Sequence, residues 1–131
     1  MINEQRIISL FQNRRRYEAE IAIMRDCSGE LNNSDESKYS DRYSYLKRKL
    51  ALIDHWLSFL PDDERILIEK HLIDGLTWSR IATQIANRQE IDIPCDERTL
   101  QRLQAKAVKR ISTFMQDSFA DILDDLIENE N

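Results

Sequence analysis

The chain has 131 residues, a net charge of −5, two glycines and two prolines. That length fits one domain with room for an appended arm. So few breakers leave little provision for the many tight turns of a β-sandwich, so an all-α fold is predicted. No apolar run approaches the ~20 residues that span a bilayer, and residues 1–6 lack the apolar centre of a signal peptide, so no membrane contact and a cytoplasmic location are expected.

Charge is unevenly distributed. Residues 96–116 hold five basic and two acidic side chains, residues 42–60 hold four basic and one acidic, and residues 117–131 hold six acidic and no basic. Local fields govern encounters with polyanions, so the overall negative charge does not exclude a nucleic-acid partner. Cys27 and Cys95 stand apart without metal-ligand spacing and the two histidines add no cluster, so neither metal nor cofactor is expected. Both thiols are read as reduced and inert in a reducing compartment.

In chain order, Ile7, Leu10, Tyr17, Ile21 and Met24, with Phe11 beside them, predict a first helix over residues 2–26. Arg14 sits in the middle of that stripe, where a charged residue can fix register. Arg14, Arg15 and Arg16 together read as a solvated face rather than a phosphate-contacting arm. Residues 27–41 are polar and aperiodic and are expected to be a flexible linker.

A second helix is predicted from about Asp41 to Phe59. Leu46, Leu50, Ile53, Leu57 and Leu60 form its stripe, Tyr43 and Trp56 lie near it, and Lys47, Arg48 and Lys49 fall mainly on other faces. Pro61 suits the first turn of a third helix, whose positive end favours Asp62, Asp63 and Glu64. Its buried positions are expected to be Ile66, Leu67, Ile68 and Leu72. Asp74 and Gly75 end it, because glycine tolerates the left-handed backbone of a helix stop.

Thr77 is the expected N-cap of a fourth helix buried through Trp78, Ile81, Ala82 and Ile85. A connection over 87–95, with Ile91, Ile93 and Pro94, leads to Asp96 as the cap of a fifth helix. Leu100, Leu103, Ala107 and Ile111 form its inward stripe, with Val108 beside it. Phe114, Met115, Phe119, Ile122, Leu123 and Leu126 keep helical spacing to the end, as one long helix or two with a bend.

Glu97, Arg98, Gln101, Arg102, Gln104, Lys106 and Lys109 face away from that inward stripe. Arginine pairs bidentately with guanine and glutamine with adenine in the major groove, while lysines further along suit phosphates. Glu97 can accept from cytosine or orient an arginine. The candidate DNA-binding residues are therefore Glu97, Arg98, Thr99, Gln101, Arg102, Lys106 and Lys109, and the expected partner is double-stranded DNA. The chain carries no Ser/His/Asp set, metal cluster or glycine-rich phosphate loop, and an enzyme is not expected. His55 and His71 are read as core or boundary packing, and Trp56 and Trp78 as core anchors rather than base-stacking platforms.

Residues 60–111 resemble region 4 of bacterial sigma-70-type factors. The matching elements are Leu60-Pro61-x-x-Glu64-Arg65, Asp74-Gly75-x-Thr77-x-x-x-Ile81-Ala82, and Glu97-Arg98-Thr99-Leu100-Gln101-Arg102-Leu103-x-Ala105-Lys106-Ala107. The resemblance implies a helix-turn-helix whose last helix enters the major groove of a promoter, with Glu97, Arg98, Gln101 and Arg102 as readers. The 87–95 connection is longer than the family's turn, and nothing resembles the promoter-melting region 2. The wider layout, with Tyr45-Leu46-Lys47-Arg48 ahead of the sigma-like part, resembles the ArpU/RinA-type phage late transcriptional regulators.

The resemblance implies a phage or prophage late-gene activator acting with RNA polymerase. The expected organisation is residues 1–26 for dimerisation or partner contact, a linker over 27–41, and residues 42–131 as a sigma region 4-like domain with an acidic C-terminal helix. A homodimer would use the N-terminal and C-terminal helices. Two alternatives are a packaging subunit of the small-terminase kind, expected as a ring, and a sigma-like interaction module that selects no DNA motif.

Overall fold

The computed structural model describes residues 3–27, 33–88 and 96–127, with side chains over 3–27, 39–87 and 96–118. Among these residues every regular element is a helix, with no strand. The helices are α1 (Glu4–Gln12), α2 (Arg14–Asp26), α3 (Asn33–Phe59), α4 (Asp62–Leu67), α5 (Trp78–Arg88) and α6 (Glu97–Ile127). A π-helical stretch, Ile68–Ile73, continues α4 directly.

The N-terminal segment departs from the single helix predicted for it. Asn13 takes φ −95° and ψ 3°, outside the helical well, and its side-chain amide donates to the Ser9 carbonyl at 2.9 Å. An asparagine competing for backbone partners in this way separates α1 from α2. The heptad-spaced side chains nevertheless face inward on both sides of the break: Ile7, Leu10, Phe11, Tyr17 and Ile21 are all buried. Arg14 reaches across to Asp54 on α3 at 2.8 Å while also meeting Glu18 at 3.0 Å.

α3 begins at Asn33, well before the expected Asp41, so residues 33–41 are helical rather than linker. The rest of the expected linker, residues 28–32, lies outside the described residues. Two further polar contacts fasten α3 to α2: Tyr39 Oη donates to the Met24 carbonyl, and Arg42 meets Glu20 at 2.9 Å.

Lys49, which lies off the main stripe, is nevertheless 1% exposed, and its ammonium lies 4.5 Å from the Tyr45 ring centre and 5.0 Å from that of Tyr17. The ring faces carry negative charge density that favours a cation there.

Two apolar clusters form the interior. The larger joins α1, α2, α3, the π-helical stretch and the middle of α6 through Ile7, Leu10, Phe11, Trp56, Ile68 and Ile111, among others. Phe11 and Trp56 meet with ring centres 5.7 Å apart and planes tilted by 57°. The smaller cluster joins Leu67, Ile81, Ile85 and Leu100, with Leu76, Trp78, Ala82 and Leu103 packed against it.

α6 belongs to both, through Leu100 and Leu103 at one end and Ala107, Val108, Ile111 and Met115 further along. The N-terminal helices therefore share a core with residues of the 60–111 stretch. The expected buried position Ile66 is only half-buried, whereas Glu64 on α4 is 2% exposed. No described helix is long and apolar enough to cross a membrane.

Candidate functional site

The stretch that places α6 begins at the α4–π junction. α-Helical bonding gives way to a wider turn, in which Asp74 N–H donates to the Glu69 carbonyl at 2.8 Å and Leu76 N–H to the Lys70 carbonyl at 3.0 Å. Such a widening re-aims side chains along a helix. Here Leu67 enters the small cluster while Ile68 and Leu72 enter the large one. Gly75 then turns the chain at φ +74°, the left-handed region that glycine occupies without steric cost.

α5 follows with the expected cap: the Arg80 N–H donates to Thr77 Oγ1 at 3.2 Å. Ile81 and Ile85 are buried against Leu67 and Leu100, with Trp78 and Ala82 half-buried beside them. Lys70 Nζ donates to Gln84 Oε1 at 2.9 Å, a second tie between the π-helical stretch and α5. The connection over 89–95, including Ile91, Ile93, Pro94 and Cys95, lies outside the described residues. Cys27 is exposed and unbridged.

α6 starts where expected. Asp96 accepts from the Thr99 backbone N–H at 3.3 Å and from the Thr99 hydroxyl at 3.1 Å. Thr99 is half-buried, and its hydroxyl serves the cap. The other six candidate contacts, Glu97, Arg98, Gln101, Arg102, Lys106 and Lys109, are exposed on α6.

Helical periodicity sharpens their arrangement. Arg98, Arg102, Ala105 and Lys109 follow one another at spacings of four, three and four, so they form a single row along the outer face. Ala105 is exposed in the middle of that row and leaves room for another surface to approach. Gln101 and Lys106 flank the row on opposite sides.

Gln104 does not join them. It is half-buried, and its Oε1 lies 2.6 Å from His71 Nδ1, where the Nδ1–H tautomer donates. The His71 ring stacks on Trp78, with ring centres 3.9 Å apart and planes 24° apart. This trio links the π-helical stretch, α5 and α6 on the inner side of the exposed row. It assigns His71 and Trp78 to the boundary between cluster and surface.

Two further features are not legible in the sequence. Arg110 pairs with the buried Glu64 through Nε at 3.2 Å and Nη2 at 3.3 Å, anchoring α6 to α4. The acid-rich start of α4 hinted at dipole complementarity, but which of its acids turns inward depends on α6. Phe59 and Phe114, 42% and 38% exposed, meet with ring centres 4.7 Å apart and planes tilted by 31°. They line a shallow groove with Lys106, Lys109, Arg110 and Thr113. Phe114 continues the Ala107–Ile111 spacing, and nothing in that spacing signals that the covering core ends there.

The arginine run of α2 is engaged with carboxylates: besides Arg14, Arg15 meets Asp74 at 2.6 Å and Arg16 meets Glu20 at 3.9 Å. Comparison with protein-family models, curated proteins and solved structures gives no match.

Proposed function

We propose that this protein is a sequence-specific DNA-binding transcriptional regulator, with α5 and α6 forming a helix-turn-helix and α6 as its reading helix. The observation that carries this reading is the exposed row Arg98–Arg102–Lys109 with Gln101 and Lys106 beside it, on a helix held from behind by the Leu67–Ile81–Ile85–Leu100 cluster. The guanidinium and amide groups are those that read base edges, and the lysines lie where phosphates would flank them. A rigid backing matters because base readout requires the side chains to meet hydrogen-bonding edges in register.

The resemblance of residues 60–111 to sigma region 4 supports a promoter-like target and RNA polymerase as a further partner. The layout around Tyr45-Leu46-Lys47-Arg48 supports late-gene activation in a phage or prophage.

Selection of bound sequences from random double-stranded DNA tests the reading. Enrichment of one motif, lost on replacing Arg98 and Arg102 with alanine, is the expected outcome. Binding without enrichment, or no binding at low salt, would overturn it.

A further inference from the structure

His71 fixes not only where the Gln104 side chain lies but which end of its amide faces outward. The ring Nδ1–H donates to Gln104 Oε1 at 2.6 Å, so the amide oxygen is turned toward the ring and the NH2 group away from it. Among the described residues Gln104 Nε2 meets no acceptor, yet it is not one of the buried atoms left without a partner, so it reaches solvent. Two N–H donors are therefore held open by a bond at the other end of the same amide.

The place of this amide matters. Gln104 lies three residues beyond Gln101, so the two share one side of α6. His71 also stacks on Trp78, the first residue of α5, with ring centres 3.9 Å apart. The Gln104 amide thus sits on the flank of α6 toward the start of α5, apart from the outer row Arg98–Arg102–Lys109. An α-helix with its side chains is about 10–12 Å across and the major groove about 12 Å wide, so a helix lying there meets base edges with its outer face and phosphates with its flanks. In helix-turn-helix docking the first helix crosses the sugar–phosphate backbone, so the flank toward α5 is the one that backbone passes.

We infer that Gln104 donates from Nε2 to a backbone phosphate of bound DNA, and that His71 is the positioning residue that turns this donor outward. The inference rests on the DNA-binding reading above but not on base selection, because a phosphate contact is the same on any sequence. A carboxamide donor also carries no charge. It adds affinity without displacing a counterion, which separates it from the lysines and arginines of the outer face.

The test is titration of the full chain with a duplex selected from random DNA and with a random duplex, at several salt concentrations. Gln104→Met keeps the length of the side chain and removes the donor. It is expected to weaken both duplexes alike, about tenfold for one hydrogen bond to a charged group, with the slope of log K against log salt unchanged.

His71→Asn can place an N–H where Nδ1–H stands and is expected to retain most of the binding. His71→Asp can only accept, so it draws the Gln104 NH2 inward and presents Oε1 to the phosphate. Both variants lose the same ring stack on Trp78, so that packing change cancels between them. The added charge of His71→Asp repels DNA directly, so the gap between the two variants is measured twice, with Gln104 and with Gln104→Met. A larger gap with Gln104 present is expected, because only then does the amide have an orientation to reverse.

Circular dichroism checks folding, and Gln104→Ala takes the place of Gln104→Met throughout if the latter loses its helical signal. Unchanged affinity in the Gln104 variant, a loss confined to the selected duplex, a lowered salt slope, or the same gap in both backgrounds would overturn the proposal. Wild-type binding that enriches no motif would overturn base reading and leave the phosphate contact standing. A wild-type chain that binds no DNA at low salt would overturn both.

Discussion

Arg110 on α6 holds Glu64 on α4 through two hydrogen bonds, and the pair is lopsided: the Glu64 side chain is 3% exposed and that of Arg110 39%. The carboxylate has left water while its partner stays half in it. Removing the arginine strands a buried charge, which costs about 3–5 kcal/mol for a fully buried pair. Partial exposure of Arg110 lowers the expectation for Arg110→Ala to roughly 2–3 kcal/mol.

Glu64→Gln should cost distinctly less, because it removes the buried charge and leaves the guanidinium able to turn to solvent. Urea midpoints of the two variants measure the difference. Equal losses would mean that the pair contributes shape rather than charge.

Gly75 sits at φ +74° with nothing within 4 Å of the position a β-carbon would take. The cost of Gly75→Ala is therefore conformational rather than steric crowding, about 1–2 kcal/mol for an L-residue held in the left-handed region. A fall in thermal midpoint, with the circular-dichroism spectrum at low temperature unchanged, is the expected result.

Leu100 is fully buried in the small cluster and separate from the large one. Leu100→Ala should cost about 2–5 kcal/mol. Hydrogen exchange should quicken first in α5, since local opening follows the cluster that loses its contacts. Uniform acceleration that includes α1 and α3 would show that the two clusters open together.

On the proposed reading, Arg102→Ala should weaken specific DNA binding by about 1–3 kcal/mol and relax selection at one base position, with the helical signal intact. Lys109→Ala should instead weaken specific and random DNA alike and lower the dependence of log K on log salt by roughly one unit. Titrations at several salt concentrations separate the two effects. Unchanged operator binding by Arg102→Ala would remove it from the readers.

The helical class, the caps at Thr77 and Asp96, the stop at Gly75 and most of the buried stripes were legible from the sequence. These features depend on spacing along the chain and on local hydrogen bonding, both of which a sequence displays directly. The stripe Leu100–Ala107–Ile111 needed only periodicity, and the exposed Arg98, Gln101 and Arg102 followed as its complement.

Tertiary structure decided what each stripe meets. Lys49 lies inside because Tyr17 and Tyr45 offer it ring faces, and Gln104 turns from the outer row because His71 comes within 2.6 Å. Phe114 keeps the spacing of a core residue yet ends beside Phe59 at the surface. A helical repeat states which residues share a side. Only the positions of the other helices determine whether that side is covered, and by which charge or ring.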